Sequence, residues 1–138
     1  MQTRFEVSTH GPGLHEITPE VAAWLRKARD GLLTLMVQHT SASLLIQENA
    51  DPDVPRDLLG YLDRLVPQAT DPSMHWLRHT TEGPDDMPAH IKAALLPVSL
   101  QIPVAGGRMA LGTWQGIYLV EHRTSPHLRR IAAHFAPG

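Results

Sequence analysis

From Gln2 to Ser8, polar positions alternate with Phe5 and Val7, the period-two pattern of a half-buried strand, and His10-Gly11-Pro12-Gly13 breaks it. A short strand over Leu14 to Ile17 follows. Thr18-Pro19-Glu20 reads as a helix start: an N-cap, a proline at the first helical position and an acid against the positive helix end. This helix is expected to run to about Asp30, with Val21, Trp24, Leu25 and Ala28 on one face and Gly31 beyond its end. Leu32 to His39 and Ser43 to Gln47 are β-favouring and read as two strands or one interrupted strand. The spacing of Val54, Leu58, Tyr61, Leu62 and Leu65 predicts a helix from about Asp53 to Leu65 that buries this face.

Beyond it lies a stretch without periodicity, then a third helix with Asp85 or Asp86 near its N-cap, Pro88 in its first turn, and Ile91, Ala94 and Leu95 facing inward until Pro97 ends it. The remainder is β: Val98 to Val104, a Gly106-Gly107 turn that signals a hairpin, Arg108 to Leu111, Trp114 to His122, and Leu128 to Phe135. Consecutive strands joined by short turns favour antiparallel pairing. The fold class is therefore α+β: one domain over residues 1–138, mainly antiparallel and sandwich-like, with about three helices.

The 138-residue chain has 12 Lys plus Arg against 14 Asp plus Glu, a formal net charge of -2, which gives no general attraction to nucleic acid or anionic lipid. Without cysteine it has no disulfide, thiolate chemistry or cysteine-rich zinc site. The N-terminus lacks a basic segment followed by an apolar run, and no apolar stretch is long enough to cross a membrane, so a soluble cytoplasmic protein is expected. Nine histidines are many for this length, and imidazole is both a proton carrier near neutral pH and a common metal ligand.

The densest chemistry lies in the aperiodic stretch, Met74 to Lys92, with His75, His79, His90, Glu82, Asp85, Asp86, Arg78 and Lys92. Loops of this kind in compact domains are commonly functional, and Trp76, Leu77 and Met87 argue against a solvated linker. The spacing of His79 and His90 matches no compact zinc signature. With His39, however, they could form a three-histidine site that leaves one position open, its rings oriented by Glu82 or Asp86. The structural alternatives are a helix-flank His90 and a capping Asp86, while His75 looks dispensable.

His39 is followed by Thr40-Ser41-Ala42-Ser43, which could cradle a phosphate with backbone N-H groups or satisfy a turn. Glu48 and Asn49 precede a helix entry that accounts for Asp53 better than for them, and are candidates for acid-base or binding roles. Gly112-Thr113-Trp114-Gln115-Gly116 suggests a bulge or a close backbone approach, with Gln115 able to donate and accept. Glu121 and Arg123 would share one strand face, as site residues or as a solvated pair.

Four segments together resemble the YjbQ family, the secondary thiamine-phosphate synthases: His39 to Ser43, Glu48-Asn49-Ala50-Asp51-Pro52, His79 through Glu82 to Asp86-Met87-Pro88-Ala89-His90-Ile91-Lys92, and Leu111 to Tyr118. The resemblance implies a compact antiparallel α+β fold assembling as a homotrimer, with polar sites near subunit boundaries. It also implies the joining of hydroxymethylpyrimidine diphosphate to a thiazole phosphate, giving thiamine phosphate and diphosphate. For that reaction the expected metal or phosphate ligands are His39, His79 and His90, with a divalent ion, zinc or magnesium. Thr40, Ser41, Arg78, Lys92 and Arg123 are the expected phosphate contacts, and Glu48, Asn49, Glu82, Asp86, Gln115 and Glu121 the expected catalytic side chains. The same residues would also suit a metal-dependent phosphate-ester hydrolase or a non-catalytic metal- or anion-binding trimer.

Overall fold

A computed structural model describes residues 1–138. The strands are β1 (Gln2–Thr9), β2 (Gly13–Glu16), β3 (Gly31–Val37), β4 (Ala42–Glu48), β5 (Ser99–Ala105), β6 (Arg108–Met109), β7 (Gln115–Glu121) and β8 (His127–Pro137). The helices are α1 (Thr18–Trp24), α2 (Asp53–Leu65) and α3 (Asp86–Leu95), with a single 3-10 turn at Pro72–Met74. One sheet runs β1-β8-β3-β5-β6, the other β2-β7-β4, and every pairing is antiparallel. The α+β class, with three helices and mainly antiparallel sheet, follows directly. No helix is long and apolar enough to cross a membrane.

Strand alternation builds one core between the sheets. Leu33, Leu35 and Val37 of β3, Ile102 and Val104 of β5, and Ile131, Ala133 and Phe135 of β8 meet Ala42 and Leu44 of β4 and Ile117 and Leu119 of β7. Val21 and Leu25 from the α1 region belong to the same cluster. The β5–β6 turn uses Gly106 and Gly107 at φ +56° and +75°, as the two glycines predict.

All three helices depart from their predicted details. Helix α1 stops at Trp24 rather than near Asp30, because the β5–β6 turn lies against its end: a Cβ on Gly107 would stand 2.9 Å from the Arg26 carbonyl oxygen. Thr18 does not cap it. Its Oγ1 accepts the Ile117 N-H and donates to Glu16, tying the helix start to β7. The face of α2 is as predicted, but none of its residues is buried and Tyr61 and Leu65 are exposed. In α3 the inward face is Asp86, Pro88, Ala89, Lys92 and Ala93, while Ala94 and Leu95 are exposed.

Candidate functional site

The first turn of α3, the loop before it and the β3–β4 connection meet at one cluster. Asp86 and His90 stand one helical turn apart and so share a face. His79 arrives from the preceding loop, its ring centroid 5.7 Å from that of His90. One ligand atom from each of His79, Asp86 and His90 lies within 4.8 Å of the others. Asp86 is the buried floor, its side chain 4% exposed against 45% for His79 and 30% for His90.

His90 and Asp86 are held from behind. The Thr40 carbonyl accepts the His90 Nδ1-H at 2.9 Å, which turns Nε2 toward the cluster. Arg123 occupies Asp86 Oδ1 at 2.8 Å and Asp85 Oδ2 at 2.8 Å, leaving Asp86 Oδ2 to face both imidazoles. His79 donates through Nε2 to Asp86 Oδ2 at 2.7 Å and lies 3.1 Å from Glu82 Oε2. The hydrogen bond to Asp86 raises the His79 pKa, and the neighbouring charges of Asp86 and Glu82 raise it further. Burial alone would raise the Asp86 carboxyl, but hydrogen bonding from His79 and the charges of His90 and Arg123 outweigh it and hold it low. Burial is likewise outweighed at Asp85, where the Arg123 and Thr124 hydrogen bonds lower the pKa to about 2.

The donor set fits a metal ion. With Nδ1-H committed to Thr40, His90 Nε2 faces Asp86 Oδ2 at 3.3 Å, an arrangement that sets lone pair against lone pair unless a proton or a cation lies between them. Two imidazoles and one carboxylate suit zinc or a similar transition metal better than magnesium, which prefers oxygen ligands.

The expected residues divide among several places. His39 is outside the cluster, so the three histidines do not converge as expected: His39 Nε2 accepts the Arg130 backbone N-H at 2.8 Å, and the potential ligand atoms that lie together are those of His79, Asp86 and His90. Burial, then the charge of Arg129, lowers its pKa. Arg123 is consumed by two carboxylates and positions Asp86 rather than presenting a free cation. Lys92 is buried and bound to Asp63 on α2 at 2.7 Å, and Ser41 is buried against Arg129. Arg78 and Thr40 are exposed. Glu121 is fully buried, with Arg129 on both oxygens, the Thr9 hydroxyl on one and the Arg123 N-H on the other. That makes it a structural anchor rather than a proton carrier open to substrate.

Glu48, Asn49 and Gln115 gather at the opposite end of β4 and β7, where Glu48 pairs with Gln115, roughly 20 Å along the strand from Ala42. There Asn49 donates to Glu16, and Gln115 accepts the Gly112 N-H. Gly116 makes room: a Cβ would lie 2.5 Å from Glu16 Oε2. Sequence reasoning missed the parts played by the Thr40 carbonyl, Asp85, Glu16 and Asp63, since each depends on a tertiary contact. It assigned Asp86 an orienting or capping role, although its one-turn spacing from His90 was visible.

These features define a two-sheet α+β protein with a surface-accessible cluster of two histidines and one carboxylate. The chain belongs to the YjbQ-like UPF0047 family, whose model matches residues 3–138. It is 48% identical over 130 residues to UPF0047 protein sll1880 of Synechocystis, covering 93% of this chain and 86% of that one. It is 43% identical to YjbQ of Escherichia coli O157:H7, covering 96% and 94%. Among solved structures it is similar to the conserved hypothetical protein TT1486 of Thermus thermophilus, with TM-score 0.84, 36% identity and coverage of 97% and 99%. It is also similar to hypothetical protein APE1520 of Aeropyrum pernix, with TM-score 0.87, 27% identity and coverage of 100% and 99%.

Proposed function

We propose that His79, Asp86 and His90 hold a divalent metal ion, zinc in preference to magnesium, and that the chain uses this site as a transferase on a small phosphorylated substrate. The observation that carries the reading is the convergence of three ligand atoms within 4.8 Å, with His90 Nε2 3.3 Å from Asp86 Oδ2, a separation at which a proton or a cation must lie between them. The resemblance noted in the sequence supplies the reaction: hydroxymethylpyrimidine diphosphate plus thiazole phosphate to thiamine phosphate and diphosphate.

In that reaction the thiazole nitrogen forms a bond to the pyrimidine methylene as the methylene-oxygen bond breaks, and the electron pair leaves with diphosphate. The nitrogen carries no proton to lose, so no general base is needed for the bond-forming step. What the step needs is a sink for negative charge at the leaving group. The bound ion would supply that as a Lewis acid. Around it, Thr40 fixes the His90 tautomer, Arg123 fixes Asp86, and His79 gives up its proton when the site loads. Glu82, exposed beside His79, can accept a hydrogen bond from bound substrate.

The same reading includes a soluble homotrimer. Leu32 and Leu128 are exposed apolar side chains of the five-stranded sheet, a surface suited to burial between copies. The test is to incubate metal-loaded protein with the two phosphorylated substrates and follow thiamine phosphate and diphosphate. Product that disappears in Asp86→Asn supports the transferase. Release of inorganic phosphate without joining would replace it with the hydrolase, and no turnover of any phosphate ester with metal still bound would favour the non-catalytic trimer.

A further inference from the structure

His90 is the wall between the metal cluster and a second space. On its other side lies an open depression of about 690 Å³, whose lining includes Met36, Gln38, His39, His90, Ala94 and Val98. Its floor is apolar, with Met36 and Val98 both substantially exposed. No Asp, Glu, Lys or Arg lines it, so a charged group would enter without a counter-ion, whereas an uncharged body would bury apolar surface.

The polar atoms here are specified as well. A backbone N-H can only donate, so Arg130 fixes His39 Nε2 as an acceptor, and a neutral imidazole must then carry its hydrogen on Nδ1. The Nδ1-H has no protein partner, and the half-buried ring borders the depression. The Gln38 amide, exposed beside it, is a second neutral hydrogen-bonding group.

We infer that His39 is a specificity-determining donor: the depression beside His90 takes the uncharged, acceptor-bearing ring of the substrate, with His39 Nδ1-H on a ring nitrogen. This rests on the proposed function, in which the same substrate's phosphorylated end lies at the metal. It also gives His39 a role compatible with its separation from the ligands.

The test uses metal-loaded protein and three probes titrated separately: hydroxymethylpyrimidine, benzyl alcohol as a ring without nitrogen, and inorganic diphosphate. The variants are His39→Phe, which removes the donor, and Ala94→Trp, which fills the depression from an exposed helical position. Wild type is expected to prefer the pyrimidine to benzyl alcohol by about tenfold, the size of one net hydrogen bond. His39→Phe should abolish that preference, and Ala94→Trp should weaken both rings by at least about tenfold. Diphosphate affinity should be unchanged in both variants. Where His39→Phe disturbs folding through the lost Arg130 contact, Ala94→Trp decides. No pyrimidine binding to wild type, or equal binding to wild type and both variants, overturns the inference. Loss of diphosphate binding in wild type, with ring selectivity still dependent on His39, would sink the metal-phosphate reading and leave the ring subsite standing.

Discussion

At the residue scale, the cluster is shaped by the partners behind His90 and Asp86. Thr40 takes the His90 Nδ1-H, and Arg123 takes the Asp86 oxygen that the imidazoles do not face. At the proposed metal site, His79 is the group whose proton would compete with the ion. Its pKa lies above the ordinary value through its bond to Asp86, so metal affinity should climb as pH rises through that raised pKa and then level off. Calorimetric zinc titrations from pH 5.5 to 8.5 check this, and an affinity independent of pH over that range would contradict it.

A second titration is independent of the site. His122 is buried, its Nε2 shares a hydrogen bond with Ser43 Oγ at 2.9 Å, and burial, then the Lys92 charge, lowers its pKa to about 4. A depressed histidine binds its proton less readily folded than unfolded. Stability from His122 is therefore complete above the unfolded value near 6.5 and is lost as pH falls toward 4, by about 3 kcal/mol. Urea midpoints in wild type should drop over that window, more steeply than in His122→Gln.

Residue types and helical spacing made Asp86 and His90 legible as neighbours. His39 looked equally like a ligand because its acceptor role is set by Arg130 on β8, paired beside β3. No local pattern reveals which nitrogen of an imidazole a distant backbone amide will occupy.

At the scale of elements, strand alternation located the core strands and the double-glycine hairpin well, since period two and turn chemistry are local properties. Helix orientation was read less well. Apolar spacing in α3 points Ala94 and Leu95 inward, yet the buried face carries Asp86 and Lys92, whose burial Arg123 and Asp63 make tolerable. Helix α2 shows the converse: its apolar face covers an incompletely closed cleft beside Leu14, Leu45 and Val120.

Two glycines separate conformational from packing effects. Gly107→Ala places a Cβ 2.9 Å from the Arg26 oxygen at a backbone φ of +75°, and should destabilise by about 1–3 kcal/mol. Gly60→Ala, in α2 with nothing within 4 Å of its Cβ, should stabilise by about 0.5–1 kcal/mol. Denaturant unfolding of the pair measures both signs, and a Gly107→Ala protein as stable as wild type would remove the β5–β6 turn from the account of why α1 ends early.

At the scale of the whole molecule, the His79–Asp86–His90 cluster and the Glu48–Gln115 group lie toward opposite ends of the β4–β7 pair, so one protomer does not unite the family-like motifs. The proposed trimer would bury the exposed sheet face. Light scattering should return three times the 15.3 kDa chain mass, and Leu32→Glu should shift it toward the monomer; a monomeric wild type would contradict the assembly. The most direct test of the central claim is elemental analysis of protein purified without chelators, comparing wild type with His90→Ala and His39→Phe. A site made by His79, Asp86 and His90 requires near-stoichiometric metal in wild type and His39→Phe and its loss in His90→Ala. Metal retained by His90→Ala, or lost from a folded His39→Phe, would contradict it.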